Sequence, residues 1–215
     1  MVLFYHTVDK NNKRWEIYAG RDKFENEDLI KYGLPIDIWF HVDDLSSPHV
    51  YLVCLPGYDM NNLPLEVVED CSQLVKAGSI EGCKKSSVKI VYTPWDNLHK
   101  DGSMDTGQVG FHQPLKRKFF KCEKKNDIVN RMTKTKVDKP SSTIRERKDD
   151  YERAQRTTQK RAHRQREERE DKEKEETDKK KQQEDDFAAL FKDEDQKISN
   201  KDLTITAEEY ENDFM

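Results

Sequence analysis

The chain changes character at residue 140. All eight glycines, all seven prolines and all three tryptophans lie at or before Pro140, and residues 141–215 contain few large apolar side chains before Phe187. A segment of that composition cannot bury enough apolar surface to offset the chain entropy lost on folding. The sequence therefore predicts one globular domain at residues 1–138, followed by a segment without a core of its own.

The most apolar and aromatic passage, residues 37–55, is expected to form the centre of that domain. Apolar residues recur at every second position from 36 to 42, which is typical of a strand. Residues 50–55 are apolar without alternation, as in a strand that is covered on both faces. A turn at residues 43–48 separates the two, so the passage predicts a pair of strands.

Alternation and turn signals predict further strands around this pair. They lie at residues 2–8, 14–19 and 88–93, with weaker candidates at 107–111 and 115–122. An apolar stripe at helical spacing predicts a helix from Pro64 to Lys76 that packs on the sheet. Shorter helices are predicted at residues 126–132 and at residues 27–32, the latter with Asn26 as its N-cap. The predicted fold class is α+β, with a mixed or antiparallel sheet and a few packed helices.

A long charged helix is predicted after the domain, at residues 139–185. This segment is rich in Arg, Lys, Glu and Gln, and opposite charges recur four residues apart. Its apolar residues are too sparse for the seam of a coiled coil. A solvent-exposed single helix of about 60 Å is therefore favoured, with a dimeric coiled coil as the alternative. Residues 186–215 are acidic and predicted to be disordered, apart from a short amphipathic spot at residues 187–191.

The net charge of −4 conceals three blocks of alternating sign. Residues 1–115 carry a net charge of −6, residues 116–166 of +12 and residues 167–215 of −10. Such blocks bear on partners and association rates rather than on the fold. The middle block is where a polyanionic partner is expected.

The sequence offers little for catalysis or for crossing a membrane. It has no P-loop, no dinucleotide-binding glycine motif and no nucleophile elbow, so we expect no enzymatic activity and no cofactor. The four cysteines form no C-x-x-C pair and are expected to be reduced. The longest apolar run is far below the ~20 residues that span a bilayer. A cytoplasmic location is expected, with a nuclear or a peripheral membrane location as alternatives.

One metal hypothesis arises from the histidines. His41 and Asp43 lie on one face of a predicted strand, and His99 or His112 would complete a set of two histidines and one carboxylate, which binds non-haem iron. The globular part is short for an oxygenase barrel, however. No metal site is therefore predicted, and His41 is interpreted as a hydrogen-bonded structural histidine.

Four strings at consistent spacing resemble one known family, the NFACT-R domain, an RNA-binding module also found in ribosome quality-control factors. The resemblance covers roughly residues 1–140 and implies an α+β fold and nucleic-acid or ribosome-related binding, not a reaction. It does not imply a tailing or tRNA-recruiting activity, which belongs with other portions of the large factors. The strings are AGRDKFENEDLIKYG, DIWFHVDDLSSPHVYL, VKIVYTPWDNLHK and GQVGFH.

One departure from that family lies in the turn that precedes Val50. Many longer relatives have Gly-Ser-His-Val where this chain has Ser-Pro-His-Val, with proline at position 48. Proline has no backbone N–H. A backbone contact that the turn donates in those relatives is therefore not expected here.

The first candidate for nucleic-acid contact is a basic cluster around Phe119 and Phe120. Cations neutralise phosphates and aromatic rings stack on bases, so together they form a surface that tolerates single strands. At least one of the two phenylalanines is expected to be a core residue, and residues 145–166 extend the positive field along the predicted helix. The clustered cations are Lys116, Arg117, Lys118, Lys121, Lys124 and Lys125.

The second candidate is the loop that contains Arg21, Lys23 and Phe24. It precedes a predicted helix N-terminus, where backbone N–H groups favour anions. Phosphate binding is one interpretation of this loop. The alternative is a hydrophobic staple, in which Phe24 anchors the helix.

These observations predict a monomeric, non-catalytic nucleic-acid-binding protein whose contacts are mainly to phosphates. Nothing in the sequence identifiably recognises a 2′-hydroxyl, so RNA and DNA are both predicted ligands, and the ribosome is a further candidate partner. The alternative is a protein-interaction adaptor that docks through its charged helical tail on a ribosome or a cytoskeletal partner. The acidic end is interpreted as solubilising, with competition for the basic block as the other option.

Overall fold

The structure is a computed structural model that describes residues 1–194. The chain forms two compact units, Met1–Ala154 and Gln155–Met215. The strands are β1 (Val2–Val8), β2 (Arg14–Gly20), β3 (Ile38–Val42), β4 (Val50–Leu52), β5 (Ser87–Pro94), β6 (Leu98–His99), β7 (Gly110–Phe111), β8 (Lys118–Glu123) and β9 (Val137–Lys139). The helices are α1 (Lys23–Tyr32), α2 (Leu65–Gly78), α3 (Asn126–Lys134) and α4 (Ser142–Glu194).

The first unit is built on a seven-stranded sheet in the order β8-β5-β3-β4-β2-β1-β9. Every neighbouring pair in it is antiparallel. The predicted central pair, β3 and β4, is in register with Trp39 opposite Tyr51. A separate hairpin is formed by β6 and β7. The α+β prediction is confirmed, with residues 37–55 at the centre of the sheet.

One face of the sheet is covered by α2 and α3. The inward side of β2 contributes Trp15 and Ile17, and α2 contributes Cys71 and Val75, all fully buried. Met132 of α3 completes this core. The apolar stripe of α2 therefore packs on the sheet as its spacing predicts.

The opposite face is covered by α1, by the β6–β7 hairpin and by the beginning of α4. Strand residues that alternate with the first core, including Tyr18, Trp39 and Tyr51, pack here against Leu29 of α1 and Ile144 of α4. Because β3 and β4 are covered on both faces, nearly all of their residues must be apolar or aromatic.

The N-terminus of α1 differs from its prediction. The helix begins at Lys23, and Asp22 is its N-cap. The Asp22 carboxylate accepts hydrogen bonds from the backbone N–H groups of Phe24 at 2.9 Å and Glu25 at 3.0 Å. The predicted N-cap, Asn26, is wrong: it is a buried residue inside the helix. The predicted charged loop is thus the first turn of the helix.

The exit from the domain also differs from its prediction. Residues 137–139 form the edge strand β9, which pairs antiparallel with β1 so that Val2 faces Lys139. The Lys139 ammonium lies 4.1 Å from the centroid of the Phe4 ring. This strand was missed because it is short and polar, and its partner is more than 130 residues away in the sequence.

The beginning of α4 belongs to the globular unit, which extends beyond the predicted boundary at residue 138. Asp37 is fully buried, and its two oxygens accept hydrogen bonds from Arg147 of α4 at 2.6 and 2.9 Å. Tyr18 donates its hydroxyl to the same carboxylate at 2.6 Å. Burial and the Asp37 charge raise the pKa of Tyr18 well above its usual value, so the hydroxyl remains a donor.

In the second unit, α4 continues to Glu194, past the predicted end at residue 185. Side chains at residues 155–189 are exposed, and ion pairs four residues apart, such as Arg164–Glu168 at 2.8 Å, run along the helix. Residues 186–194 of the segment predicted to be disordered are helical in the structure, and the rest of that segment lies outside the described residues. Within residues 1–194, no helix is long and apolar enough to cross a membrane.

Candidate nucleic-acid interface

Strand β8 carries the predicted basic and aromatic cluster at one edge of the sheet. Phe120 and Cys122 point to the α2 side, where Phe120 packs against the core and Cys122 is fully buried. Phe119 and Lys121 alternate with them, so both lie on the opposite face. Phe119 is 45 % exposed. The expectation that one of the two phenylalanines is a core residue is confirmed, and the second is available at the surface.

Two cations lie against the exposed Phe119 ring, and a third lies on the same face of the sheet. The Lys89 ammonium lies 3.8 Å and the Arg117 guanidinium carbon 5.8 Å from its centroid. Lys121 faces Lys89 directly across the β5–β8 pair. We call Lys89, Arg117, Phe119 and Lys121 the β8 surface. Lys89 was missed at the sequence level, although its alternation with the buried Val88 and Ile90 already placed it on this face.

The other predicted cations do not join this surface. Lys118 lies on the α2 side, where its ammonium donates to the Met60 carbonyl at 3.4 Å. The Lys125 ammonium pairs with Glu69 of α2 at 2.5 Å. Lys116 and Lys124 are exposed on segments that flank β8. The sheet thus divides the predicted cluster between its two faces.

The second predicted candidate lies at the opposite edge of the sheet. Arg21 pairs with Asp138 of the edge strand β9 at 3.0 Å, and six strand spacings separate β9 from β8, which is about 30 Å. Phe24 is 68 % exposed, so it is not a staple. The Lys23 ammonium lies 5.3 Å from the Phe24 ring. The Asp22 carboxylate already occupies the N–H groups of Phe24 and Glu25.

The first cations of the predicted basic helix act as anchors for that helix. Besides the Arg147 contact with buried Asp37, Arg145 pairs with Asp28 of α1 at 3.1 Å. The Lys148 ammonium donates to the backbone carbonyl of Lys31 at 3.0 Å. Arg147 is thus committed to the domain, whereas Arg145 and Lys148 contact α1 through exposed groups.

A cavity of about 450 Å³ lies next to the β8 surface, on the same face of the sheet. The Trp39 ring stacks on His41 with centroids 5.3 Å apart and meets the edge of Phe111 at 5.7 Å. His49 packs edge-on against His41 at 5.1 Å. Arg117 also lines the cavity, with its guanidinium carbon 4.9 Å from the Phe111 centroid. One arginine therefore connects the cavity with the exposed Phe119.

The outer wall of the cavity is the loop at residues 100–109, between β6 and β7, which Glu27 of α1 holds in place. Its carboxylate accepts hydrogen bonds from the Lys100 ammonium at 3.0 Å and from the Gly107 N–H at 2.6 Å. Burial alone would raise the pKa of Glu27, but these hydrogen bonds outweigh it and lower the pKa. Gly107 has φ +84°, a conformation that favours glycine. The loop therefore holds a defined position over the sheet.

The two cavity histidines are neutral at physiological pH. Burial lowers the pKa of His49 to about 3, with a further contribution from His41. Burial also lowers the pKa of His41, although hydrogen bonds with the backbone oppose this shift. His41 donates its Nδ1–H to the Val42 carbonyl at 2.7 Å. The positive charge around the cavity therefore comes from lysine and arginine.

The hypothetical iron site does not assemble. His99 and His112 pack against each other at 4.9 Å in the β6–β7 hairpin, whereas His41 packs against Trp39 and His49. Among residues 1–194, no group of three or more His, Cys, Asp or Glu side chains could hold a metal ion. The histidines of the cavity are part of its aromatic lining.

Residues 1–113 match the protein family described as "NFACT protein RNA binding domain". The chain belongs to the NFACT-R family. Trp39, His41, His49 and Phe111 of the cavity lie within the matched residues, whereas β8 follows them. The family match therefore agrees with the resemblance seen in the sequence, and the structure has the α+β fold that the resemblance implied.

Curated relatives extend the NFACT-R similarity over a longer part of the chain. A Mus musculus protein named coiled-coil domain-containing protein 25 is 54 % identical over 140 residues, which cover 65 % of this chain and 67 % of that protein. Its Dictyostelium discoideum homolog is 48 % identical over 148 residues, 68 % of this chain and 70 % of that protein. Protein JLP2 of Saccharomyces cerevisiae is 39 % identical over 143 residues, which cover 64 % of this chain and 69 % of that protein.

Proposed function

We propose that this protein is a non-catalytic RNA-binding protein that holds a single strand on the β8 surface. The observation that supports this most is the exposed Phe119 ring with Lys89 3.8 Å above it and Arg117 beside it. Aromatic rings stack on bases of any sequence, and the neighbouring cations neutralise phosphates. Membership of the NFACT-R family favours RNA as the nucleic acid.

The charges of this surface set the kind of binding that is expected. Lys89 also pairs with Asp43 at 2.8 Å, but its side chain stays 57 % exposed. Lys121 forms only an exposed pair with Glu123 at 3.7 Å, and such pairs are weak and readily exchanged for a phosphate. The surface should therefore contact a few phosphates, and the affinity for RNA should decrease as salt increases. Stacking on Phe119 should add to that affinity.

The proposal is tested by fluorescence anisotropy of full-length protein with a labelled single-stranded RNA. Phe119→Ala should weaken binding about 5- to 150-fold, the value of one base stack. Lys118→Ala is the matched control, because it removes a cation from the same strand but from the other face. Circular dichroism of each variant shows whether it is folded. Equal losses for both variants, or no loss for Phe119→Ala, would contradict the proposal.

A second candidate function, a protein-interaction adaptor, is supported by the second unit. The side chains at residues 155–189 are exposed along about 35 residues of helix, which presents a long charged surface to partners. A pulldown with and without nuclease separates the two functions. Partners that survive nuclease, ribosomal proteins among them, support the adaptor function, and partners that disappear support binding through RNA.

A further inference from the structure

Two residues that line the cavity each carry a buried polar atom that makes no hydrogen bond within residues 1–194. The two atoms are Nε1 of Trp39 and Nδ1 of His49, on side chains that are 2 % and 3 % exposed. The other two indole N–H groups are paired, that of Trp15 with Asp9 at 3.1 Å and that of Trp95 with the Leu29 carbonyl at 3.2 Å. Buried polar groups are almost always paired in folded proteins, because leaving one unpaired costs stability. Two such groups on residues that line one cavity are candidates for pairing with a ligand that enters it.

The lining defines the chemistry of that ligand. Trp39, His41, His49 and Phe111 present aromatic rings, and both histidines are neutral, so the interior favours a flat and uncharged group. Trp39 is a donor only, so the ligand must offer an acceptor at its edge. The cavity volume of about 450 Å³ falls in the range of about 300–1,000 Å³ that small-molecule pockets occupy. A nucleobase has this shape and these edge groups.

The register of the sheet connects the cavity to the β8 surface. His41 faces Val91 across the β3–β5 pair, and Val91 faces Phe119 across the β5–β8 pair. The cavity and the stacking ring therefore lie on one cross-strand row, about 10 Å apart. Arg117 lies between them, within 4.9 Å of the Phe111 centroid and 5.8 Å of the Phe119 centroid. Its guanidinium is placed to bind the phosphate that joins two neighbouring nucleotides.

We propose that the cavity receives one unstacked base of a bound RNA strand, while a neighbouring base stacks on Phe119. This inference rests on the proposed function, because the β8 surface holds the strand. Single-stranded bases that are turned out of the stack can be recognised through their edges, whereas bases in a duplex are paired and stacked. The loop that Glu27 holds keeps the cavity formed before RNA arrives, which reduces the ordering that binding requires.

The three tryptophans make the test direct, because each gives one indole N–H signal in a proton–nitrogen correlation spectrum of the full-length chain. The signals are assigned with Trp39→Phe, and the titrants are single-stranded oligomers of A, C or U, a duplex RNA and linear polyphosphate. The Trp39 signal should shift with at least one single strand but not with duplex or polyphosphate. The signals of Trp15 and Trp95, whose N–H groups are already paired, should stay in place.

Affinity measurements on cavity variants provide the second readout. His49→Phe keeps an aromatic ring but removes both ring nitrogens, among them the unpaired Nδ1. It should reduce the preference among A, C and U oligomers about 2- to 10-fold, the contribution of one hydrogen bond. The slope of its affinity against salt should stay unchanged. Tyr51→Phe is the control, because its buried hydroxyl is also unpaired but does not line the cavity. It should bind every oligomer like the natural sequence.

The outcomes separate the two proposals. If the natural sequence binds no RNA, the proposed function and this inference both fail. If it binds RNA with the expected sensitivity to Phe119→Ala, but the Trp39 signal does not move or all oligomers bind equally, only the base-binding cavity is overturned.

Discussion

Strand β8 and the beginning of α4 both lie in the positive block of the sequence, but the cations around them have different uses. Lys89 and Lys121 of the β8 surface form only partly exposed pairs, with Asp43 and Glu123, whereas Arg147 of α4 is paired with a fully buried carboxylate. The difference is set by the acidic partner. Asp37 is fully buried and needs a cation, while the pairs around β8 are partly exposed and weakened by solvent. A count of positive charges therefore overstates the surface that is available to RNA.

The largest expected effect concerns Arg147. Its replacement by alanine leaves the buried Asp37 carboxylate without its cation, so the free energy of unfolding should fall by about 3–5 kcal/mol. Arg145→Ala, which removes a largely exposed pair from the same helix, should cost about 0–1 kcal/mol. Urea unfolding measures both. RNA affinity of the folded fraction should stay unchanged in each variant, and a loss of affinity would remove the distinction between the two regions.

The next largest effect concerns His49 and pH. Its pKa is about 3 in the folded chain and near ~6.5 in an unfolded one. Between these values the unfolded chain binds a proton that the folded chain does not, so stability decreases as pH falls from about 6.5 towards 3. From pH 7 to pH 5 the loss due to His49 is about 2 kcal/mol. His49→Phe should lack this part of the loss in urea unfolding at the two pH values.

The affinity for RNA should not follow the pH dependence of stability. The β8 surface contains no histidine, the side chain whose ordinary pKa lies between pH 6 and pH 8. Affinity at fixed salt should therefore be nearly constant over that range, although stability is not. A marked increase in affinity towards pH 6 would mean that a histidine contributes charge to the interface.

A smaller effect is expected from the two lysines of the β8 surface. Lys89→Gln and Lys121→Gln should each make the slope of log affinity against log salt shallower by about 0.7, the value for one phosphate contact with a single strand. Both variants should unfold at nearly the same urea concentration as the natural sequence, because their pairs are partly exposed. Lys125→Gln, on the α2 side, is the control, and an equal change in its slope would show that the contact is not specific to one face.

The smallest effect is expected at the N-terminus of α1. Arg21→Ala with Lys23→Ala removes an exposed pair and a second cation about 30 Å from β8. A short oligomer on the β8 surface should bind this double variant unchanged. A loss of affinity that grows with RNA length would instead support Arg21, Lys23 and Phe24 as a second contact for a long strand.

The strands were predictable where burial imposes a repeat on the sequence. β1 was predicted with its observed ends, and β5 within one residue of each end, because one face of each strand is apolar. β9 has no such pattern. Its residues are mostly polar, and the strand exists because β1 offers a free edge for backbone hydrogen bonds. A local pattern cannot report a partner of that kind.

The candidate site was predictable in its residue types but not in its arrangement. Phe119 and Phe120 are equivalent in the sequence, and the register of β8 against β5 decides which of them is exposed. The role of Trp39 and His49 in a cavity depends on a loop that closes over the sheet from residues 100–109, and nothing near either residue in the sequence indicates this. Asn26 was mistaken for the N-cap because Asp22, four residues earlier, was assigned to a loop.

By itself, the sequence determined the α+β class, the central strand pair at residues 37–55, the change of composition at residue 140 and membership of the NFACT-R family. These features depend on local composition, on periodicity and on characteristic strings, all of which can be read along the chain. Only the tertiary structure decided which cations are available and which buried polar atoms lack a partner. Arg147 and Asp37 are 110 residues apart, and Arg145 and Asp28 are 117 residues apart. Charge and hydrogen-bond pairing depend on distance in space, and folding alone brings such residues together.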